Sequence, residues 1–138
     1  MIPFGPPIRM HEAIQTVSAP RPRGHYSQAV RVGSLLFVSG QLPLDRDGNV
    51  VKGTVAQEAA QALENIRAIV EAAESTIADI VQCTIYISDI AHWAEVNDIY
   101  GAFFSEVPVL PARAVVPVKE MHYGAHIEIQ AIAFVNRP

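Results

Sequence analysis

Apolar and polar positions change period several times along this chain, and each change marks an element. Val55, Ala59, Ala62, Ile66, Ile69 and Ala73 keep helical spacing across residues 54–73. Thr54 followed three residues later by Gln57 is a capping box, which fixes where that helix starts. A second helix follows Ser88 or Asp89, either of which can cap it. Its apolar face carries Trp93, Val96, Tyr100, Phe103 and Phe104. Before the first helix, "YSQAVRVGSLLFVSG" predicts a hairpin. Gln28, Val30 and Val32 alternate there with Ala29 and Arg31, and Gly33-Ser34 supplies a two-residue turn. Upstream, "AIQTVSA" (13–19) predicts a short edge strand, and "PRPRG" (20–24) forces a loop. Between the helices, "DIVQCTIYISD" (79–89) predicts a strand. The final stretch, "VLPARAVVPVKEMHYGAHIEIQAIAF" (109–134), predicts two strands joined by a short polar turn, paired as an antiparallel hairpin.

The order is strands, helix, strand, helix, strand, strand. Each helix can serve as a right-handed crossover between parallel strands. The expectation is an α+β domain: one mixed sheet with both helices on one face. That leaves a covering problem. "LLFV", "CTIYI", "AVVPV" and "IQAIAF" are apolar on both sides of the pleat, and such strands normally have both faces buried. Two helices cover one face, so a further copy of the chain is expected on the other.

Composition sharpens this. The chain has 138 residues, enough for one domain, with 50% hydrophobic and 17% charged residues. A net charge of −4 gives no electrostatic draw to nucleic acid or to an anionic membrane, so neither is expected as a partner. No apolar run reaches the roughly 20 residues of a membrane helix. "MIPFGPPIR" (1–9) reads as a flexible Pro-rich leader, with a single domain over 10–138. The lone cysteine, Cys83, permits no intrachain disulfide, and a cytoplasmic setting follows by default.

The candidate chemistry lies in the last two strands. Arg113 stands at the start of one and Glu128 inside the other, in the most apolar part of the chain. Buried charges are costly unless paired or used. Arg113 can snorkel to water at a strand end, or its guanidinium can grip a carboxylate through two parallel hydrogen bonds. Strand alternation places His126, Glu128 and Gln130 on one face and Ile127, Ile129 and Ala131 on the other. His126 and Glu128 are too few ligands for a zinc site, and His92 and His122 complete no metal spacing. Cys83, mid-strand, reads as a buried small hydrophobe. There is no Gly-rich phosphate loop and no serine elbow.

"GHYSQAV", "FVSGQLP", "QALENIRAIVEAA", "VNDIYGAFF", "PARAVVPV" and "IEIQAIAF" occur in the order and spacing of the RidA family (YjgF type, also labelled L-PSP endoribonuclease). The chain resembles that family from about Ala13 to Phe134. The resemblance implies a chorismate-mutase-like fold and a homotrimer with a central sheet barrel and clefts between subunits. It also implies a cofactor-independent enamine/imine deaminase, which hydrolyses 2-imino acids released by pyridoxal-phosphate enzymes to 2-keto acids and ammonia. By motif, Arg113 would hold the substrate carboxylate and Glu128 would position the attacking water. Tyr26, Ser39, Gly40 and Val115 would line the pocket, with Asn97 supplied by the neighbouring subunit. The chain departs from the family pattern at His25, Glu74, Ala114 and the turn Met121-His122-Tyr123, which bears on substrate size. Rival readings are a ligand-binding or chaperone-like trimer without turnover, a member specialised for aminomuconate or aminoacrylate, and a ribonuclease. The acidic balance and the lack of a basic stripe argue against the last.

Overall fold

The computed structural model describes residues 10–135. The leader expected at 1–9 lies outside them. Six strands form one sheet: β1 (His11–Ile14), β2 (Ala29–Val32), β3 (Leu35–Gln41), β4 (Ile80–Ile87), β5 (Ala112–Pro117) and β6 (Ile127–Phe134). Two helices, α1 (Val55–Ala72) and α2 (Trp93–Phe103), complete the fold.

The sheet order is β1-β2-β3-β6-β4-β5. β3 and β4 both pair antiparallel with β6, so they run parallel to each other with β6 between them. β4 and β5 are parallel neighbours. Both helices therefore cross between parallel strands, as expected. The expected β5–β6 hairpin does not form. Instead β6 passes under the helices and inserts between β3 and β4, where it is paired on both sides. Its alternating side chains give it a buried face wherever it lies, so periodicity alone did not settle its neighbours. The expected edge strand over 13–19 is also shifted: pairing covers His11–Ile14, and Thr16 onward turns away.

The capping box at the start of α1 is present. Thr54 accepts from the Gln57 amide at 3.2 Å, and Gln57 Oε1 accepts from the Thr54 amide at 2.8 Å. The helix ends in a Schellman arrangement. The Ser75 amide donates to Val70 O at 3.1 Å and the Glu74 amide to Glu71 O at 2.9 Å. This arrangement holds Glu74 at φ 62°, a conformation suited to glycine.

The core lies between the helices and one sheet face. Ala59, Ala62, Leu63, Ile66 and Ile69 of α1, with Val96, Tyr100 and Phe104 of the α2 segment, bury Leu36, Ile85, Ile87, Ile127 and Ile129. Each large aliphatic side chain so buried contributes about 1.5–3 kcal/mol by transfer from water. Among the described residues nothing covers the opposite face. There Val32 is in register with Leu35, Leu35 with Phe134, and Phe37 with Ile132. Leu35, Phe37 and Phe134 remain 42%, 44% and 41% exposed.

Candidate active site

The cleft is built around an irregularity in β3. Val38 pairs with Ala131 and Gln41 with Ile129, so β3 carries one residue more than β6 over this span. That bulge falls at Ser39-Gly40. It keeps Val38 and Gln41 on the covered face and turns Ser39 and Gly40 toward the cleft. The Ser39 amide donates to Gln28 O at 2.9 Å, and its hydroxyl donates to Ser27 O at 2.6 Å. Gly40 backs directly onto Glu128, and a Cβ there would come within 2.5 Å of Glu128 Oε1.

Glu128 projects from β6 into a cleft of about 300 Å³, lined also by Tyr26, Gln28, Ser39, Leu42, Leu44 and His122. Burial raises its carboxyl above the ordinary carboxylate value, and the charge of His122 pulls it partly back. Two buried polar side chains fix parts of the cleft wall. Asn65 of α1 donates to Leu42 O at 3.2 Å and to Leu44 O at 2.8 Å, which pins the loop after β3. Gln28 accepts from the Thr16 amide at 2.7 Å and donates to Thr16 O and Pro20 O, each at 3.0 Å. It thereby holds the segment 16–20 against the sheet. A polar residue among apolar neighbours reads as a surface position until its partners are known; for Asn65 the signal is its place on the apolar stripe of α1.

Arg113 lies elsewhere. It is in register with buried Cys83 and on the helix-covered face. Its Nη1 donates to Asn97 Oδ1 at 2.8 Å. Its guanidinium carbon lies 4.7 Å from the Tyr100 ring centroid and 5.7 Å from that of Trp93. Asn97 thus joins Arg113 within the same chain. No carboxylate among the described residues pairs with this guanidinium. Val115, two residues on, packs partly against the core, in register with Ile85. Glu128 is in register with Tyr86, on the opposite face. One chain therefore presents Arg113, Asn97 and Val115 on one side of the sheet, and Tyr26, Ser39, Gly40 and Glu128 at the cleft on the other.

The remaining chemistry-bearing residues sort clearly. Cys83 is buried and its thiol is pushed up to about 11, chiefly by burial, with the Tyr100 hydroxyl and Arg113 opposing. It is the small hydrophobe expected. His126 does not share the cleft with Glu128. It precedes β6, and both its amide and its Nδ1 meet the buried Glu58 carboxylate of α1, at 2.9 and 2.7 Å. Among the described residues no three His, Cys, Asp or Glu side chains gather as metal ligands. Of the departures from the family pattern, His122 reaches the cleft wall; Tyr123 faces a separate hollow beside Glu58.

The model of the family described as Endoribonuclease L-PSP matches residues 16–135. The chain belongs to this family, the RidA/YjgF family. A protein of Salmonella typhimurium named 2-iminobutanoate/2-iminopropanoate deaminase is 42% identical over 125 residues, covering 90% of this chain and 98% of that one. A RutC family protein of Pyrococcus horikoshii is likewise 42% identical, over 91% of this chain and 98% of its own. Among solved structures, the YjgF gene product of E. coli superposes with a TM-score of 0.85 at 41% identity, covering 91% and 99% of the two chains. E. coli TdcF with bound serine gives 0.85 at 37% identity, covering 89% and 98%. RidA-family members thus share the single mixed sheet with two helices described above.

Proposed function

We propose that the protein is a cofactor-independent deaminase that hydrolyses 2-imino acids to 2-keto acids and ammonia, and that it works as a homotrimer with sites between subunits. The observation that carries this reading is Glu128. It is a half-buried carboxylate with a raised pKa, set in a small cleft against a glycine that leaves room for it. Perturbed carboxylates in clefts are the usual mark of proton-transfer groups. Arg113 supports it. A guanidinium without a carboxylate partner, oriented by Asn97 and two aromatic rings, suits a substrate carboxylate. Because the two residues leave opposite sheet faces, the Glu128 cleft of one copy would be completed by Arg113 of the next. The uncovered apolar rows of β2, β3 and β6 supply a surface on which copies would pack. The Salmonella relative's name and the amino acid bound in the TdcF structure fit the same substrate class.

The chemistry follows from that arrangement. Arg113 of the adjacent copy holds the carboxylate of the 2-imino acid, and Glu128 holds one water against its C=N carbon. Water oxygen bonds to the carbon of the protonated imine as Glu128 accepts a proton, which gives a neutral carbinolamine. Glu128 returns that proton to nitrogen; as the C–N bond breaks and ammonia departs, the hydroxyl proton passes to Glu128 and the C–O bond becomes the carbonyl of the 2-keto acid. Positioning the two reactants turns a bimolecular attack into a local one. Tyr26, Ser39, Gly40 and Val115 shape the cavity, and Asn97 acts through Arg113. A cytoplasmic setting, alongside the enzymes that release such imines, belongs to the same reading.

The test is a coupled assay. The protein is added to a threonine dehydratase reaction, and loss of the released imine is followed while light scattering reports the assembly. Faster imine loss from a trimer is the expected result. Binding of 2-keto acids with no hydrolysis above background would leave only a ligand-binding trimer. A monomer at micromolar concentration would remove the shared site.

A further inference from the structure

The cleft around Glu128 does not end at the reacting position. A second hollow, of about 610 Å³, adjoins it and is lined by Gln15, Thr16, Val17, Arg46 and Asp47. Arg21 and Gln28 belong to both linings, and Glu128 belongs to the first alone. Arg21 therefore lies where the two hollows meet. It is exposed, and no carboxylate among the described residues pairs with it. The segment leading to it is not loose. Its backbone at Thr16, Ala19 and Pro20 is bound by the buried Gln28 amide, so the guanidinium springs from an anchored chain. His122 adds a second donor to the cleft wall.

The wall thus offers a guanidinium and an imidazole that the proposed reaction does not use. A 2-imino acid brings one carboxylate, and that one is assigned to Arg113 of the neighbouring copy. The negative groups on these walls are Glu128, which repels anions in the first hollow, and Asp47, which shares the second with Arg46. A plain alkyl side chain on the substrate would leave Arg21 and His122 idle and would place methylene groups beside them. A side chain ending in an anion would meet both, and the anchored backbone lowers the ordering cost of that contact.

Resting on the deaminase reading of the same cleft, we propose that the site selects 2-imino acids carrying a second, distal carboxylate, held by Arg21 with His122. Arg21 and His122 are specificity-determining residues in this assignment, and Glu128 keeps its role at the reacting carbon. The distal carboxylate accepts hydrogen bonds from the Arg21 fork, a contact that lysine would reproduce only as a point charge.

The experiment compares imines made in place by an amino-acid oxidase from leucine and 2-aminobutanoate with those made from glutamate and 2-aminoadipate. Binding of 2-oxobutanoate and 2-oxoglutarate is measured by calorimetry on the same preparations. The dicarboxylic imines are expected to show kcat/KM at least about 10-fold higher, with the same order in keto-acid affinity. Arg21→Gln and His122→Ala should each shrink that ratio, and 0.5 M salt should shrink it in the wild type. An Arg67→Ala control, on the outer face of α1, should keep the ratio. Turnover of the monocarboxylic imines at an equal or higher rate overturns this inference while the deaminase reading stands. A preference untouched by both substitutions overturns the residue assignment. No turnover of either class overturns the deaminase reading and this inference together.

Discussion

Gly40 and Glu128 occupy space that only one side chain can fill. A Cβ on Gly40 would lie 2.5 Å from Glu128 Oε1 and 2.9 Å from its carboxyl carbon. The bulge in β3 brings the backbone this close, and the missing side chain is what leaves the carboxylate its place at the cleft.

Gly40→Ala should therefore push the Glu128 carboxylate out of position. The expected result is a loss of imine turnover of about 100-fold, the scale reached when a reacting group is misplaced by an ångström. Crowding at a packed site should cost about 1–3 kcal/mol of stability as well. Thermal unfolding and the imine assay measure the two effects. Full activity in this variant would show that the carboxylate needs no fixed position.

For Glu128→Gln the signs differ between rate and stability. The base works ionised, so wild-type activity should fall as pH drops through the Glu128 pKa, which burial holds above the ordinary carboxylate value. The variant should lose about 100-fold in kcat and lose that limb of the pH profile. Stability runs the other way. A raised folded-state pKa means that the contribution of Glu128 is fully present below the unfolded-state pKa and is lost as pH rises through the folded one. At neutral pH the variant should therefore melt at a higher temperature than wild type, and the gap should close toward acid. Melting curves at several pH values check this.

Asn97→Ala should weaken catalysis without abolishing it. It removes the 2.8 Å contact that orients the Arg113 guanidinium, and a hydrogen bond to a charged group of this kind carries about 1.5–3 kcal/mol. A fall in kcat/KM of about 10-fold or somewhat more is expected. Arg113→Lys should lose more, because the two-pronged donor is gone. Equal activity of Asn97→Ala and wild type would mean that the stacking rings alone hold Arg113.

How much of the fold and the site is legible in the sequence depends on the kind of signal. Elements with their own period and caps are: α1 begins where Thr54 and Gln57 place it, and β4 lies within two residues of its expected span at each end. Arg113 and Glu128 stood out because a charge in an apolar run demands a reason. Pairing was less legible. β6 satisfies its alternation equally well beside β5 or between β3 and β4, and the decision comes from the second strand it gains to bond with. Gln28, Glu58 and Asn65 were missed because each is polar by type and buried by partnership. "TVAQEAAQALENIRAI" hides Glu58 and Asn65 on the same stripe as Ala62 and Ile66, and that placement was the available clue.

Glu74→Gly offers a stability test free of the active site. Glu74 sits at φ 62° in the turn that closes α1, where a side chain costs roughly 1–2 kcal/mol. Glycine removes that strain, and an upward shift in melting temperature is expected, reduced by the flexibility it adds to the unfolded chain. A lower melting temperature would show that contacts of the Glu74 side chain outweigh the strain.

Placing Arg113 and Glu128 on opposite faces of one sheet makes the proposed catalyst a property of pairs of chains. Arg113→Lys and Glu128→Gln subunits, each strongly impaired alone, would on co-assembly regenerate intact sites wherever an unaltered Arg113 meets an unaltered Glu128. Diluting the wild type below the dissociation constant of the assembly would remove activity faster than it removes folded protein. Gene dosage would then act nonlinearly: a cell making half the chain would have less than half the sites, and an altered subunit would disable a neighbour that is itself unchanged.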